Sequence, residues 1–205
     1  MPLTDAVKNT MLDALGGLAT THMSLHSAFS ITGANELTGG SPAYARQPCA
    51  FSAASGGSLS IAGAETFDVP AAAVVAFVGL WSAVTAGTFR GMWPLQSTAD
   101  SPKPFTAVSG TDIITVDAHG FANADQVVFW DLGAGSVIPT GLTEGVIYHV
   151  RDVSGDTFKV AAAAGGAAID LTGDGGGLVQ RILPEVFAGQ GTYQVADLDI
   201  PLVGA

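Results

Sequence analysis

Cysteine, charge and long apolar runs are all scarce in this chain, and each shortage removes a class of protein. Cys49 is the single cysteine among 205 residues, so no internal disulfide can form, and no Cys/His cluster has zinc-site spacing. The seven basic residues, Lys8, Arg46, Arg90, Lys103, Arg151, Lys159 and Arg181, are scattered singly. Counterion release from a phosphate backbone needs clustered basic side chains, so nucleic acid is not an expected partner. The longest apolar stretch, Ala71 to Trp81, falls well short of the roughly 20 residues that cross a bilayer, so no membrane is expected either. Met1-Pro2-Leu3-Thr4-Asp5 lacks a basic segment followed by an apolar run, and no secretion signal is expected. The chain should be made in a cytoplasm and stay soluble there until it assembles.

What the chain has instead is glycine, small apolar residues and acid. Charged residues make up 12% of it, against about 25% in ordinary soluble domains, while 48% is hydrophobic and glycine reaches 27 residues. A soluble chain so poor in charge is expected to cover part of its surface against copies of itself or other subunits. The 18 acids give a formal charge of -11, which favours solubility and says little about a partner. The length suits one large domain or two small ones.

Thr4 to Leu15 reads as a helix, with Thr4 as cap, Asp5 in the first turn and Gly16-Gly17 as the stop. Val7, Met11, Ala14, Leu15 and Leu18 recur at helical spacing as one apolar stripe. Beyond it the pattern is β. Met23, Leu25 and Phe29 fall on one face of a strand over 22–29. A Gly- and Asn-rich loop, 32–41, follows, and short strands are expected near 48–53, 58–62 and 65–69. Val74 to Trp81 is apolar on both faces, as a covered central strand would be, and 88–95 returns from it.

Residues 97–104 form a polar, Pro-containing joint. After it come strand patterns near 112–117, 126–132, 146–153, 157–161, 169–171 and 178–182, spaced as in a small sandwich or barrel. The tail resembles the first unit again, and its strand over 192–202 is expected to pair there. The expected fold is mainly β: a β-sandwich with one N-terminal helix, formed by 1–97 and 183–205, interrupted by a small inserted all-β module, 98–182. Insertions of this kind are tolerated at loop tips.

Two sets of residues carry a family resemblance. The first runs through Asp5-Ala6-Val7-Lys8-Asn9-Thr10-Met11-Leu12-Asp13-Ala14-Leu15, Met23-Ser24-Leu25-His26 and Thr32-Gly33-Ala34-Asn35-Glu36-Leu37-Thr38-Gly39-Gly40-Ser41-Pro42-Ala43-Tyr44-Ala45-Arg46. It continues in Ala53-Ala54-Ser55-Gly56-Gly57-Ser58, Thr66-Phe67-Asp68-Val69-Pro70, Gly79-Leu80-Trp81-Ser82 and Phe187-Ala188-Gly189-Gln190-Gly191-Thr192-Tyr193. This ordered set resembles small structural proteins of tailed bacteriophages and prophages, described as tail-fibre or minor tail proteins. The second set includes Ala118-His119-Gly120-Phe121, Val146-Ile147-Tyr148-His149-Val150 and Asp156-Thr157-Phe158-Lys159-Val160-Ala161, and is similar to a β module repeated in phage tail and surface proteins. In the family's pattern the chain runs straight from the Trp81 hairpin to the final strand. Here it departs, and the resemblance fixes no role for the insert. It implies no catalytic residues.

Candidate chemistry is thin. His22 and His26 lie about 13 Å apart if they stand on a strand at about 3.3 Å per residue, too far to share a metal. Asp156, Asp170 and Asp174, in a glycine-rich region, lack the spacing of a calcium loop, so a turn-forming role is the better account. Gly173-Asp174-Gly175-Gly176-Gly177 opens no helix that would cradle a phosphate. No Gly-x-Ser-x-Gly elbow occurs, and Cys49 reads as a core residue. No enzyme, metal or cofactor is expected. Of the three tryptophans, Trp81 is expected in the core, and Trp130 is the candidate for exposure and for contact with a host glycan.

The leading expectation is therefore a virion subunit, tail- or fibre-associated, that oligomerises (a trimer is expected) and binds other virion proteins. A head-decoration protein and a receptor module for host surface glycans are the alternatives. Val7, Met11 and Leu15 on the helix, with Tyr44 and Arg46 on the loop, are the expected interface residues. The insert holds 10 of the 18 acids between Asp100 and Ile182, as an outward, water-facing module would.

Overall fold

The computed structural model describes residues 3–17, 21–95, 101–133 and 137–202. Leu18 of the expected helix stripe and residues 97–100 of the expected joint lie outside them. The chain is mainly β, with 42% of residues in strands against 6% in helix. It divides into two units, Met1–Thr98 with Pro184–Ala205, and Ala99–Leu183.

The first unit opens with α1 (Asp5–Gly16) and continues through β1 (Thr21–His26), β2 (Gln47–Cys49), β3 (Ser58–Ser60), β4 (Glu65–Val69), β5 (Val74–Val75), β6 (Phe77–Trp81) and β7 (Phe89–Pro94). The second unit holds β8 (Lys103–Val108), β9 (Ile113–Thr115), β10 (Gln126–Trp130), β11 (Tyr148–Ser154), β12 (Thr157–Ala161) and β13 (Gly175–Ile182). The chain then returns to the first unit with β14 (Glu185–Val186), β15 (Gly191–Val195) and β16 (Asp199–Pro201).

In the first unit, β2, β1, β6 and β7 form one antiparallel sheet in that order. The returning strands form three separate two-stranded sheets with strands of this unit: β14 with β5, β15 with β4, and β16 with β3. Alternation on β1 and β6 turns Met23, Leu25, Val78 and Leu80 to one side, where they pack with Leu59, Phe67, Val69, Val195 and Ile200 as the core. Burying such side chains is worth about 1.5–3 kcal/mol each. β6 is buried on both faces, as the apolar run predicts.

The helix divides its expected apolar stripe between core and water. Thr4 makes no side-chain cap, although its carbonyl accepts the amides of Val7 and Lys8. Leu12 is the buried residue and Leu15 packs against the core, whereas Val7 and Met11 are 45% and 51% exposed and Ala14 is exposed beside them. The reason is polar anchoring. Asn9 Oδ1 accepts the amide of Gly57 at 2.9 Å and Asp13 Oδ1 that of Ala54 at 2.7 Å. These residues, four apart on the helix, pin it beside the buried Leu12 and leave Val7, Met11 and Ala14 outside.

The second unit is a closed antiparallel barrel in the order β10-β11-β12-β9-β8-β13. Closure leaves no sheet edge exposed. Phe105, Phe129, Tyr148, Phe121 and Phe158 line its core, with Phe105 and Phe129 centroids 5.0 Å apart edge-to-face. Two sequence expectations change here. Residues 169–171 form no strand, and β8 fills the sixth place. The strand expected near 178–182 starts earlier, at Gly175, where a Cβ would lie 2.2 Å from the Val137 carbonyl oxygen, and one at Gly176 2.8 Å from that of Phe105. Glycine is there to let backbones approach.

Candidate functional site

The densest polar arrangement lies on the second face of the four-stranded sheet, beneath the segment 27–46. Register places Ser24 opposite Gly79 and His26 opposite Phe77, with Trp81 opposite His22. These residues share the face away from the apolar core. Gly79 is the gap that makes their chemistry fit: a Cβ there would stand 2.6 Å from His26 Nε2 and 2.7 Å from Ser24 Oγ.

His26 is fully buried and hydrogen-bonded through both ring nitrogens. Nδ1 lies 2.9 Å from the carbonyl oxygen of Ala34, which only accepts, so Nδ1 carries the proton. In the neutral ring Nε2 then accepts, from the Ser24 hydroxyl at 2.7 Å. Ser24 Oγ in turn accepts the indole N–H of Trp81 at 2.9 Å. The result is a one-way relay from Trp81 through Ser24 and His26 to Ala34 in which every polar proton has an acceptor. Burial pulls the His26 pKa below its ordinary value and Arg46 adds to this, while the Ala34 bond and the Glu36 carboxylate oppose it.

A charged clamp sits beside the relay. Arg46 donates from Nε and Nη2 to the two carboxylate oxygens of Glu36, at 2.8 and 2.7 Å. Its Nη1 donates to the carbonyls of Ala83 and Ala86 at 3.0 and 2.7 Å, and its guanidinium lies over the Trp81 ring. Tyr44 Oη accepts the amide of Leu25 at 2.8 Å and faces Glu36, its ring stacked on Phe67. Burial raises the Tyr44 pKa, with the Glu36 charge adding to it, so the phenol stays protonated. Gly33, at φ +78°, presses onto Trp81 and Phe89 where any Cβ would clash. At the far end Gln190 accepts from the Ser41 amide and donates to the Pro42 carbonyl, following the cis Ser41–Pro42 bond.

The residues quoted for the family resemblance therefore converge. Ser24, His26, Gly33, Ala34, Glu36, Tyr44, Arg46, Gly79, Trp81 and Gln190 are one structural device that straps the loop onto the sheet. Tyr44 and Arg46, expected at an interface, have their polar groups engaged inside the unit. Trp81 lies under Arg46 rather than in the apolar core. Sequence reasoning passed over Glu36, yet a signal existed: it is the sole acid between Asp13 and Glu65, ten residues before the sole base between Lys8 and Arg90.

Elsewhere the candidate chemistry resolves into turn-building. In the barrel, Asp174 Oδ1 accepts the amide and hydroxyl of Ser109, which holds its carboxyl below the usual range. Asp156 accepts the amide of Ala118, and Asp112 that of Leu171. Among the described residues no group of three or more His, Cys, Asp or Glu is placed to hold a metal ion, and no helix is long and apolar enough to cross a membrane. Trp130 is half-buried, its indole N–H donating to Gln180 Oε1 at 3.3 Å. Cys49 packs against the core of the first unit, and burial pushes its thiol up to about 12. A shallow, open cleft of about 300 Å³ borders β7 and the strap, lined by Phe29, Ile31, Phe89 and Met92 among others.

The fold and this network define a class: a strapped β-sandwich unit carrying an inserted closed barrel. The chain matches no protein-family model, no curated protein and no solved structure.

Proposed function

We propose that this chain is a structural subunit of a bacteriophage particle, tail- or fibre-associated, that assembles with copies of itself and with other virion proteins. One observation carries the reading. The helix α1 buries Leu12 and packs Leu15 on the core, yet Val7, Met11 and Ala14 on its other side face water. Exposed apolar side chains at i, i+4 and i+7 form a stripe that a neighbouring subunit would cover, and the low charge of the chain supports the same demand. The polar groups of the strap hold the fold together, which suits a scaffold more than a reaction centre. The phage-like residues supply the particle; the helix supplies the reason to assemble.

The first experiment is quantitative mass spectrometry of purified phage particles from a host that makes this chain. A few copies per particle fit the tail reading. A copy number near that of the major capsid protein replaces it with head decoration, and absence from particles ends it.

A further inference from the structure

We propose that segment 27–46 is an acid-released strap, held shut by neutral His26 and freed when that ring takes up a second ring proton. The direction of the relay carries the inference. Ala34 can only accept, so Nδ1–H is fixed, and Nε2 is free to accept only while the imidazole is neutral. Protonation turns Nε2 into a donor aimed at Ser24 Oγ, which already receives the Trp81 indole N–H. The Ser24 hydroxyl proton then loses its acceptor in a site where Gly79 has left no spare room. A buried polar group stripped of its partner is disfavoured, and so is a buried imidazolium.

The groups around His26 set the balance. From its own strand come His22 and Ser24 on the same face. From the strap come Ala34, Glu36 and, behind them, Tyr44 and Arg46. β6 presents Phe77, Gly79 and Trp81, and β7 presents Phe89, whose centroid is 6.3 Å from the imidazole. Glu36 is the one nearby charge that favours the cation, and its two oxygens are already taken by Arg46. The closed strap therefore disfavours protonation relative to an open one. Its stability is complete above the ordinary histidine value and is lost as pH falls below it. Opening would uncover the aromatic face made by Phe77, Trp81 and Phe89. This inference stands on the strap alone and holds whether or not the chain assembles.

Amide hydrogen exchange on the full chain, corrected for the intrinsic pH dependence of exchange, tests it. The Ser27 amide bonds the Asn35 carbonyl and the Leu37 amide bonds that of Leu25, so both report strap closure. Their protection should fall about tenfold per pH unit below about 6.5, the slope of a single proton, while the amides of β6 keep theirs. The slope should vanish in His26→Gln, whose amide both donates and accepts but does not titrate. An unchanged slope in that variant, a flat profile in the wild type, or parallel loss of β6 protection would each overturn the proposal. Should His26→Gln fail to fold, the NMR titration of the wild-type His26 ring decides. Its midpoint must fall at the pH where Ser27 and Leu37 protection is exhausted, and a ring still neutral after the strap has opened refutes the idea.

Discussion

The guanidinium of Arg46 lies 3.6 Å above the ring of Trp81 while its fork grips both oxygens of Glu36. One side chain thus makes a stacking contact, a bidentate ion pair and two carbonyl bonds, and it joins loop 27–46 to the β6–β7 turn. Removing one partner of a fully buried pair costs about 3–5 kcal/mol. With side-chain exposures of 10% and 18%, this pair keeps some contact with water, so Arg46→Ala should cost about 2–4 kcal/mol. Arg46→Lys should recover little, since an ammonium cannot fork or stack in the same way. Urea denaturation followed by Trp fluorescence measures both.

Gly79 is predicted to be intolerant of the smallest addition. Gly79→Ala puts a methyl into the space of His26 Nε2 and Ser24 Oγ, so either the relay breaks or the strands part. Overpacking of this kind costs about 1–3 kcal/mol. A thermal melt should show the first unit destabilised, and the His26 ring resonances should move in NMR.

The barrel should fold without the rest of the chain. β8 and β13 are direct neighbours, with Lys103 opposite Val179, so the barrel's first and last strands lie side by side within a sheet that closes on itself. Residues 99–183 expressed alone should give dispersed NMR amides and one cooperative melt. Phe158→Ala in that fragment should cost about 3–5 kcal/mol, as expected for emptying a buried aromatic site.

Cys49 should be chemically quiet. The thiolate is the reactive form, and burial together with the Glu65 charge pushes its pKa up to about 12, Arg90 offsetting only part. A disulfide exchange reagent at neutral pH should label the native protein far more slowly than the urea-unfolded one. Rates that match would contradict the burial of this residue.

Much of the architecture was legible because periodicity reports burial. The doubly apolar run Val74–Trp81 announced a central strand, which the structure breaks at Ala76 into β5 and β6, and aspartates near glycines announced turns whose carboxylates cap backbone amides. The apolar stripe of the helix was legible but its division was not: Leu15 packs on the core while Val7 and Met11 face water, and the bonds of Asn9 and Asp13 to Gly57 and Ala54 form only through the tertiary fold. The strap was invisible for a related reason. Nothing local in Glu36 or Arg46 predicts that a Gly-rich loop will fold back over a sheet, and Ser24, His26 and Gly79 meet only through strand register. The early start of β13 at Gly175–Gly177 was hidden because sequence does not show how close another backbone passes.

The central claim is that subunits cover the outward stripe of α1. Sedimentation equilibrium of the purified chain, run beside a Val7→Glu/Met11→Glu double variant, addresses it directly. The wild type is predicted to sediment as an oligomer and the variant as a folded single chain, since charge at those positions faces water in the monomer and leaves the core untouched. A wild type that remains a single chain at every concentration, with the variant indistinguishable from it, would contradict the account.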